Sequence, residues 1–156
     1  MNDPANVAAV VTGEPVEEAS LPVTEFAFPG PLRDRLVAAV LAGAKTSTTG
    51  LLLEYELADE PLPRVGARSA VVDSEGRRLA VLEVTDVRVV PLAEVDLAHV
   101  LDEGEGHRTL AAWRTDHEQF FHSPEMRTEL GRPDFTVDDS TPVVLERFRV
   151  VARLDG

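Results

Sequence analysis

Apolar and polar positions change period several times along the chain, and each change marks an element. Leu32, Leu36, Val37, Val40 and Leu41 recur at the spacing of one helical face. Pro31 opens that run, where its missing N–H costs nothing, and Gly43 supplies a stop, so the pattern predicts a helix over 31–42. Threonines, a tyrosine and an apolar run follow, and 51–57 reads as a strand. Asp73-Ser74-Glu75-Gly76 lies between the apolar runs 69–72 and 79–90 and predicts a hairpin. Helical spacing returns over 96–102 and again over 109–122, where Leu110, Trp113, His117, Phe120 and Phe121 share a face. Ser123-Pro124 restarts a short helix that Gly131 ends. The last run, 142–154, alternates as a strand, with Val144, Glu146, Phe148, Val150, Ala152 and Leu154 on one face and Arg147, Arg149, Val151 and Arg153 on the other.

This order of helix, three or four strands, helices and a final strand predicts an α+β fold, in which a small antiparallel sheet curls into a barrel with helices flanking one side. Residues 1–24 carry four acids, no base and no aromatic side chain, which predicts a flexible acidic tail ahead of a domain over 25–156.

Composition narrows the function. A length of 156 residues suits one compact domain. The absence of cysteine removes disulfides, thiolate metal sites and cysteine nucleophiles. With no apolar run long enough to span a bilayer and no secretory signal, the expectation is a cytoplasmic protein without membrane contact. The 28 acidic and 15 basic residues give a net charge of −13, which opposes unaided binding to nucleic acid. That charge is uneven: 89–141 hold twelve acids against four arginines, whereas 64–88 and 142–156 are each slightly positive. A compact ligand fits this distribution better than a long duplex.

Fourteen of the fifteen basic residues are arginine, and Lys45 is the exception. It lies in Gly43-Ala44-Lys45-Thr46-Ser47-Thr48, a G-x-K-x-x-T run at a predicted helix exit. A phosphate-binding P-loop would need glycine at 44 and 39, and both positions hold alanine. Lysine can lose a proton when desolvated and arginine cannot, so a lone lysine suits proton transfer. The neighbouring hydroxyls can hydrogen-bond a ligand or act as nucleophiles beside a base. The plain alternative is a helix end whose orphan carbonyls Lys45 satisfies.

The stretches Leu41-Ala42-Gly43-Ala44-Lys45-Thr46-Ser47-Thr48, Leu51-Leu52-Leu53-Glu54-Tyr55-Glu56, Pro63-Arg64-Val65-Gly66, Gly104-Glu105-Gly106-His107-Arg108-Thr109-Leu110-Ala111-Ala112-Trp113 and Pro142-Val143-Val144-Leu145-Glu146-Arg147-Phe148 together resemble the ASCH domain family, and its larger bacterial subfamily in particular. The resemblance implies a PUA-like β-barrel associated with RNA binding, with the G-x-K-x-x-T run lining a cleft. Some members are amidohydrolases that deacylate acetylcytidine through a lysine base, a threonine nucleophile and a glutamate; others are reported as ribonucleases. By position these residues are Lys45, Thr48 and Glu105, the last preferred over Glu103. Ala44 and Ala67 depart from the common family pattern. In a regular strand Lys45 and Thr48 would face opposite ways, so the hydrolase reading requires a backbone turn that brings the amine to the hydroxyl, directly or through water.

The remaining candidates follow from residue type. His99, His107, His117 and His122 lack the helical spacing of a zinc pair, and no metal or cofactor is expected. Asp102-Glu103-Gly104-Glu105 reads as a solvated loop, and Trp113, Phe120 and Phe121 as core. Tyr55 is a base-stacking candidate on the motif strand. Glu83 and Glu146 sit among apolar neighbours and need an arginine or a place in the cleft. Arg147, Arg149 and Arg153, with Arg64 and Arg68, form either a basic patch or partners of the acidic helices. The resulting expectation is a monomer or weak homodimer that binds RNA or a modified nucleoside through Gly43, Thr46, Ser47, Tyr55, Arg64 and Arg147. Hydrolysis of an acylated base, cleavage of single-stranded RNA and binding without catalysis are its three forms.

Overall fold

The computed structural model describes residues 20–154. Of the expected tail, 1–19 lie outside the described residues, while Val23–Thr24 form β1, which pairs in parallel with Ala70 and Val71. Helix α1 (Pro31–Leu41) begins at the proline, and Gly43 turns the chain at φ 83°. The chain then enters β2 (Ser47–Leu51) and passes directly into α2 (Leu52–Ala58). The strand expected over 51–57 is therefore a helix. Leu-Leu-Glu-Tyr-Glu-Leu-Ala is rich in strong helix formers, and Glu54 closes the first turn by accepting the Leu51 N–H at 3.1 Å.

The hairpin of β3 (Arg68–Val72) and β4 (Arg78–Pro91) forms as the pattern predicts. A short 3-10 turn at Leu92–Glu94 leads to α3 (Leu97–Asp102), α4 (Leu110–Phe121) and α5 (Pro124–Leu130), capped by the side chains of Asp96, Thr109 and Ser123 respectively. Strand β5 (Pro142–Arg153) closes the chain.

The five strands form one open mixed sheet in the order β1-β3-β4-β5-β2, rather than a closed antiparallel barrel. The short parallel β1 makes the sheet mixed, and it and β2 are the two edges, with no pairing between them among the described residues. Register shifts in the β4–β5 ladder, at Val81/Leu82 and Val84/Asp86, bend the sheet without closing it.

Helices do not flank one side only. Leu145 and Phe148 lie three residues apart on β5 and so on opposite faces. Leu145 joins a cluster with Leu51, Val100, Trp113 and Phe121, and Phe148 joins another with Phe26, Val37, Val40 and Leu82. The first holds α3, α4 and α5 against the sheet and the second holds α1. As expected, Trp113 and Phe121 are buried; Phe120 packs partly buried beside them. No helix of the described residues is long and apolar enough to cross a membrane.

Candidate functional site

The segment between α1 and β2 and the loop after α3 are docked on one another. Thr46 donates both its backbone N–H (2.8 Å) and its hydroxyl (3.3 Å) to the Asp102 carbonyl, and the buried Ser47 hydroxyl donates to the His99 carbonyl at 3.0 Å. Gly104 has φ 66°, and a Cβ there would lie 2.2 Å from the Ala44 carbonyl oxygen. Glycine is thus required for the two segments to meet. Thr46 and Ser47 act as a clamp, their hydroxyls engaged by the protein itself.

This docking brings Lys45 to Glu105 across 60 residues of chain. The Lys45 side chain is 1% exposed and its Nζ donates to Glu105 Oε2 at 2.8 Å, to the Ser47 carbonyl at 2.8 Å and to the Glu103 carbonyl at 3.4 Å. Glu103 is the residue after α3, so Lys45 does satisfy helix-end carbonyls, though at a different helix from the one that precedes it. All three ammonium protons are engaged. Glu105 keeps 19% of its side chain exposed, so the carboxylate, not the amine, faces outward. A cleft of about 250 Å³ opens beside Gly43, Lys45 and Thr46, walled by Phe148, Arg149 and the end of α1.

Behind Lys45 lies a buried polar network. Glu103 is fully buried, which corrects the expectation of a solvated 102–105 loop. Its Oε1 accepts from the Trp113 indole N–H at 3.0 Å and lies 3.2 Å from His117 Nε2; its Oε2 accepts from the Thr49 hydroxyl and lies 3.1 Å from His99 Nε2. Burial opposes its charge, yet hydrogen bonds from His117 and His99 and the charge of Lys45 hold its carboxyl far below the usual range. His117 stacks on Trp113 with ring centres 4.1 Å apart. Oxygen and nitrogen atoms of Glu103, Glu105 and His117 lie within 4.8 Å of one another. Lys45 donates to Glu105, and Trp113 and Thr49 donate to Glu103, so the trio belongs to one buried hydrogen-bonded ion-pair network. Sequence reasoning missed Glu103 because acids flanking a glycine look like a surface turn. The one available signal was the spacing of His99, Glu103 and Thr109-capped Trp113, which only docking makes meaningful.

The other candidates are dispersed. Thr48 is paired with Glu146 on β5, so its side chain shares the face of Glu146, opposite to those of Ser47 and Thr49. No direct hydrogen bond joins Lys45 to Thr48 among the described residues. Tyr55 stands half-buried on α2, not on the motif strand, and burial followed by the charge of Glu146 pushes its hydroxyl above the ordinary tyrosine range. Glu83 pairs with Arg68 and Arg149, whereas burial raises the pKa of Glu146, which has no ion pair among the described residues. Arg147 is paired with Asp102 at 2.6 Å. Arg64 is exposed in the α2–β3 connection. The arginine stripe thus serves mainly as partner to carboxylates.

The open α+β sheet with helices on both faces defines a PUA-like fold. The model of the ASCH domain family matches residues 25–152, and the chain belongs to that family. A crystal structure of an ASCH domain from Lactobacillus crispatus JV V101 superposes with a TM-score of 0.72 at 27% identity, covering 84% of this chain and 79% of that one. A crystal structure of a protein from Enterococcus faecalis V583 superposes with a TM-score of 0.76 at 24% identity, covering 96% and 86% respectively, and shares the fold. Comparison with curated proteins returns no match.

Proposed function

We propose that this chain binds RNA or a modified nucleoside in the cleft beside Lys45, and that hydrolysis of an acylated base is the chemistry of that site. The Lys45–Glu105 pair carries the reading: a buried amine, 2.8 Å from a partly exposed carboxylate, is a ready proton-exchange couple. Transfer of one proton from the ammonium to Glu105 leaves a neutral amine and a carboxylic acid. The amine then takes the Thr48 hydroxyl proton as that oxygen attacks the acyl carbon, and the departing exocyclic nitrogen takes a proton from Glu105. Water releases the acyl group from Thr48 in the second half. Lys45 and Thr48 share no direct hydrogen bond, so this mechanism requires a water to carry the proton between them. A cleft of about 250 Å³ lies just below the usual range for ligand pockets, so a single nucleoside suits it better than a folded RNA.

Binding without catalysis is the second reading, favoured by the engagement of all three Lys45 protons. Acylated cytidine and single-stranded RNA, each incubated with the wild type, Lys45→Arg, Lys45→Ala and Glu105→Gln, separate the two. Deacylation by the wild type that falls at least 100-fold in Lys45→Arg, with RNA affinity kept within a few-fold, supports the hydrolase. Full activity in Lys45→Arg removes Lys45 as base. RNA binding without change to either substrate leaves the binding module, and RNA cleavage that Lys45→Ala abolishes makes the site a ribonuclease.

A further inference from the structure

His117 is absent from the catalytic reading, yet its ring forms one group with Glu103 and Glu105, their polar atoms within 4.8 Å of one another. Its Nδ1 lies 3.0 Å from the Trp113 carbonyl and its Nε2 lies 3.2 Å from Glu103 Oε1. Both neighbours are acceptors, and neither can donate. A neutral imidazole has only one N–H and would turn a lone pair towards one of them. Both contacts are satisfied together only when the ring carries two protons and a positive charge.

We propose that His117 is held as an imidazolium that positions Glu103 and, beside it, Glu105, so that the support of Lys45 at the edge of the ligand cleft depends on pH. The groups that face it are few. On its own helix they are Trp113, stacked at 4.1 Å, and Asp116, reached through His107. From the loop after α3 come Glu103, Glu105 and His107, whose ring centre is 6.1 Å away. Lys45 lies behind Glu105, and His99 and Thr49 hold the far oxygen of Glu103. The charges balance in pairs: Lys45 with Glu105, and His117 with Glu103. Loss of the His117 proton would leave Glu103 buried with a lone pair aimed at its oxygen, so the ring must move and the Trp113 stack with it. Burial opposes the imidazolium, but the hydrogen bond and charge of Glu103 outweigh it and raise its pKa above the ordinary histidine value. The support it gives is therefore complete below that ordinary value and is lost as pH rises through the elevated one.

The effect on ligand rests on the nucleoside-binding reading; the imidazolium itself does not. Trp113 is the only tryptophan of the chain and is in contact with His117, so its emission reports the ring directly. The test follows Trp113 emission and thermal unfolding from pH 5.5 to 9.5 in the wild type and in His117→Gln, which keeps a donor for Glu103 but cannot titrate, and then titrates cytidine into the wild type at both ends of that range. An emission step centred above the ordinary histidine midpoint, accompanied by a fall in melting temperature that His117→Gln lacks, is the expected result. An emission step at or below the ordinary midpoint, or the same pH dependence of melting in His117→Gln, overturns the proposal. Cytidine affinity at least 10-fold weaker at the alkaline end supports the link to the cleft. Equal affinity at both ends overturns that link. An emission step as expected with no cytidine binding at any pH upholds the imidazolium and counts against the nucleoside reading instead.

Discussion

At the scale of single residues, burial sorts the carboxylates of this chain into two chemical kinds. Glu103 is fully enclosed and receives hydrogen bonds or charge from Trp113, Thr49, His99, His117 and Lys45. Removing such a group leaves its donors facing an empty, dry space, so Glu103→Ala should destabilise the fold by about 3–5 kcal/mol in chemical denaturation. Glu146 is the opposite case: half-buried, without an ion pair among the described residues, and with a pKa raised by burial. Its folded form favours the proton, so its contribution to stability is larger in acid and is lost as pH rises through that raised value. Replacing it with an uncharged isostere, as in Glu146→Gln, should therefore raise the melting temperature at pH 8 and change it little at pH 4, below the ordinary carboxylate value. Gly104 is a backbone matter. Its φ of 66° and the 2.2 Å approach of a would-be Cβ to the Ala44 carbonyl predict that Gly104→Ala loses about 2–4 kcal/mol and separates Glu105 from Lys45. Denaturation, with Trp113 emission as the local readout, tests both parts. Lys45 was conspicuous in the sequence by being the lone lysine; Glu103 was not, because enclosure is not a property of composition.

At the scale of elements, the outcome depended on how strongly each segment speaks for itself. Helices α1, α4 and α5 carry both a periodic face and punctuation, with proline or a capping side chain at the start, and all three were legible. The segment 51–57 was not. Its apolar run and tyrosine fit a strand, but Glu54, Glu56 and the leucines favour a helix, and the Glu54 contact to the Leu51 N–H settles the start. Mistaking α2 for a strand also misplaced Tyr55. The Thr109 cap of α4 accepts the Ala112 N–H at 3.1 Å and fixes the first turn that presents Trp113. Thr109→Ala should cost about 1 kcal/mol of stability, measured by denaturant unfolding, and should weaken the Trp113 signal of His117 titration more than caps elsewhere do. Ser123→Ala, which removes the equivalent cap of α5, is the comparison: a similar loss of stability with the Trp113 titration unchanged.

For the whole molecule, the decisive quantity is how the charges are paired. Arg68 and Arg149 share Glu83, Arg147 holds Asp102, and Arg77 holds Asp73, so much of the positive charge that the sequence offered to a nucleic acid is turned inward on acidic partners. With a net charge of −13 and the arginines beside the cleft, Arg147 and Arg149, held by Asp102 and Glu83, RNA binding should depend weakly on salt. About two phosphate contacts on a single strand would give a slope of log affinity against log salt near −1.4. Measured slopes steeper than about −4 would mean an extended basic track that the described residues do not form.

By itself the sequence determined the α+β order, the hairpin, four of the five helices, and the family, since these follow from local spacing, from punctuation and from ordered motifs. It also singled out the Lys45 segment. Tertiary structure alone decided that the sheet stays open, that α1 and the other helices cover opposite faces, and that Glu103, His117 and Trp113 stand behind the Lys45–Glu105 pair. The reason is physical. Periodicity and caps are short-range properties fixed within a turn or two of chain, whereas the environment of a charge is set by which distant segments exclude water from it. The contact of the Gly104 backbone with the Ala44 carbonyl is where that exclusion begins.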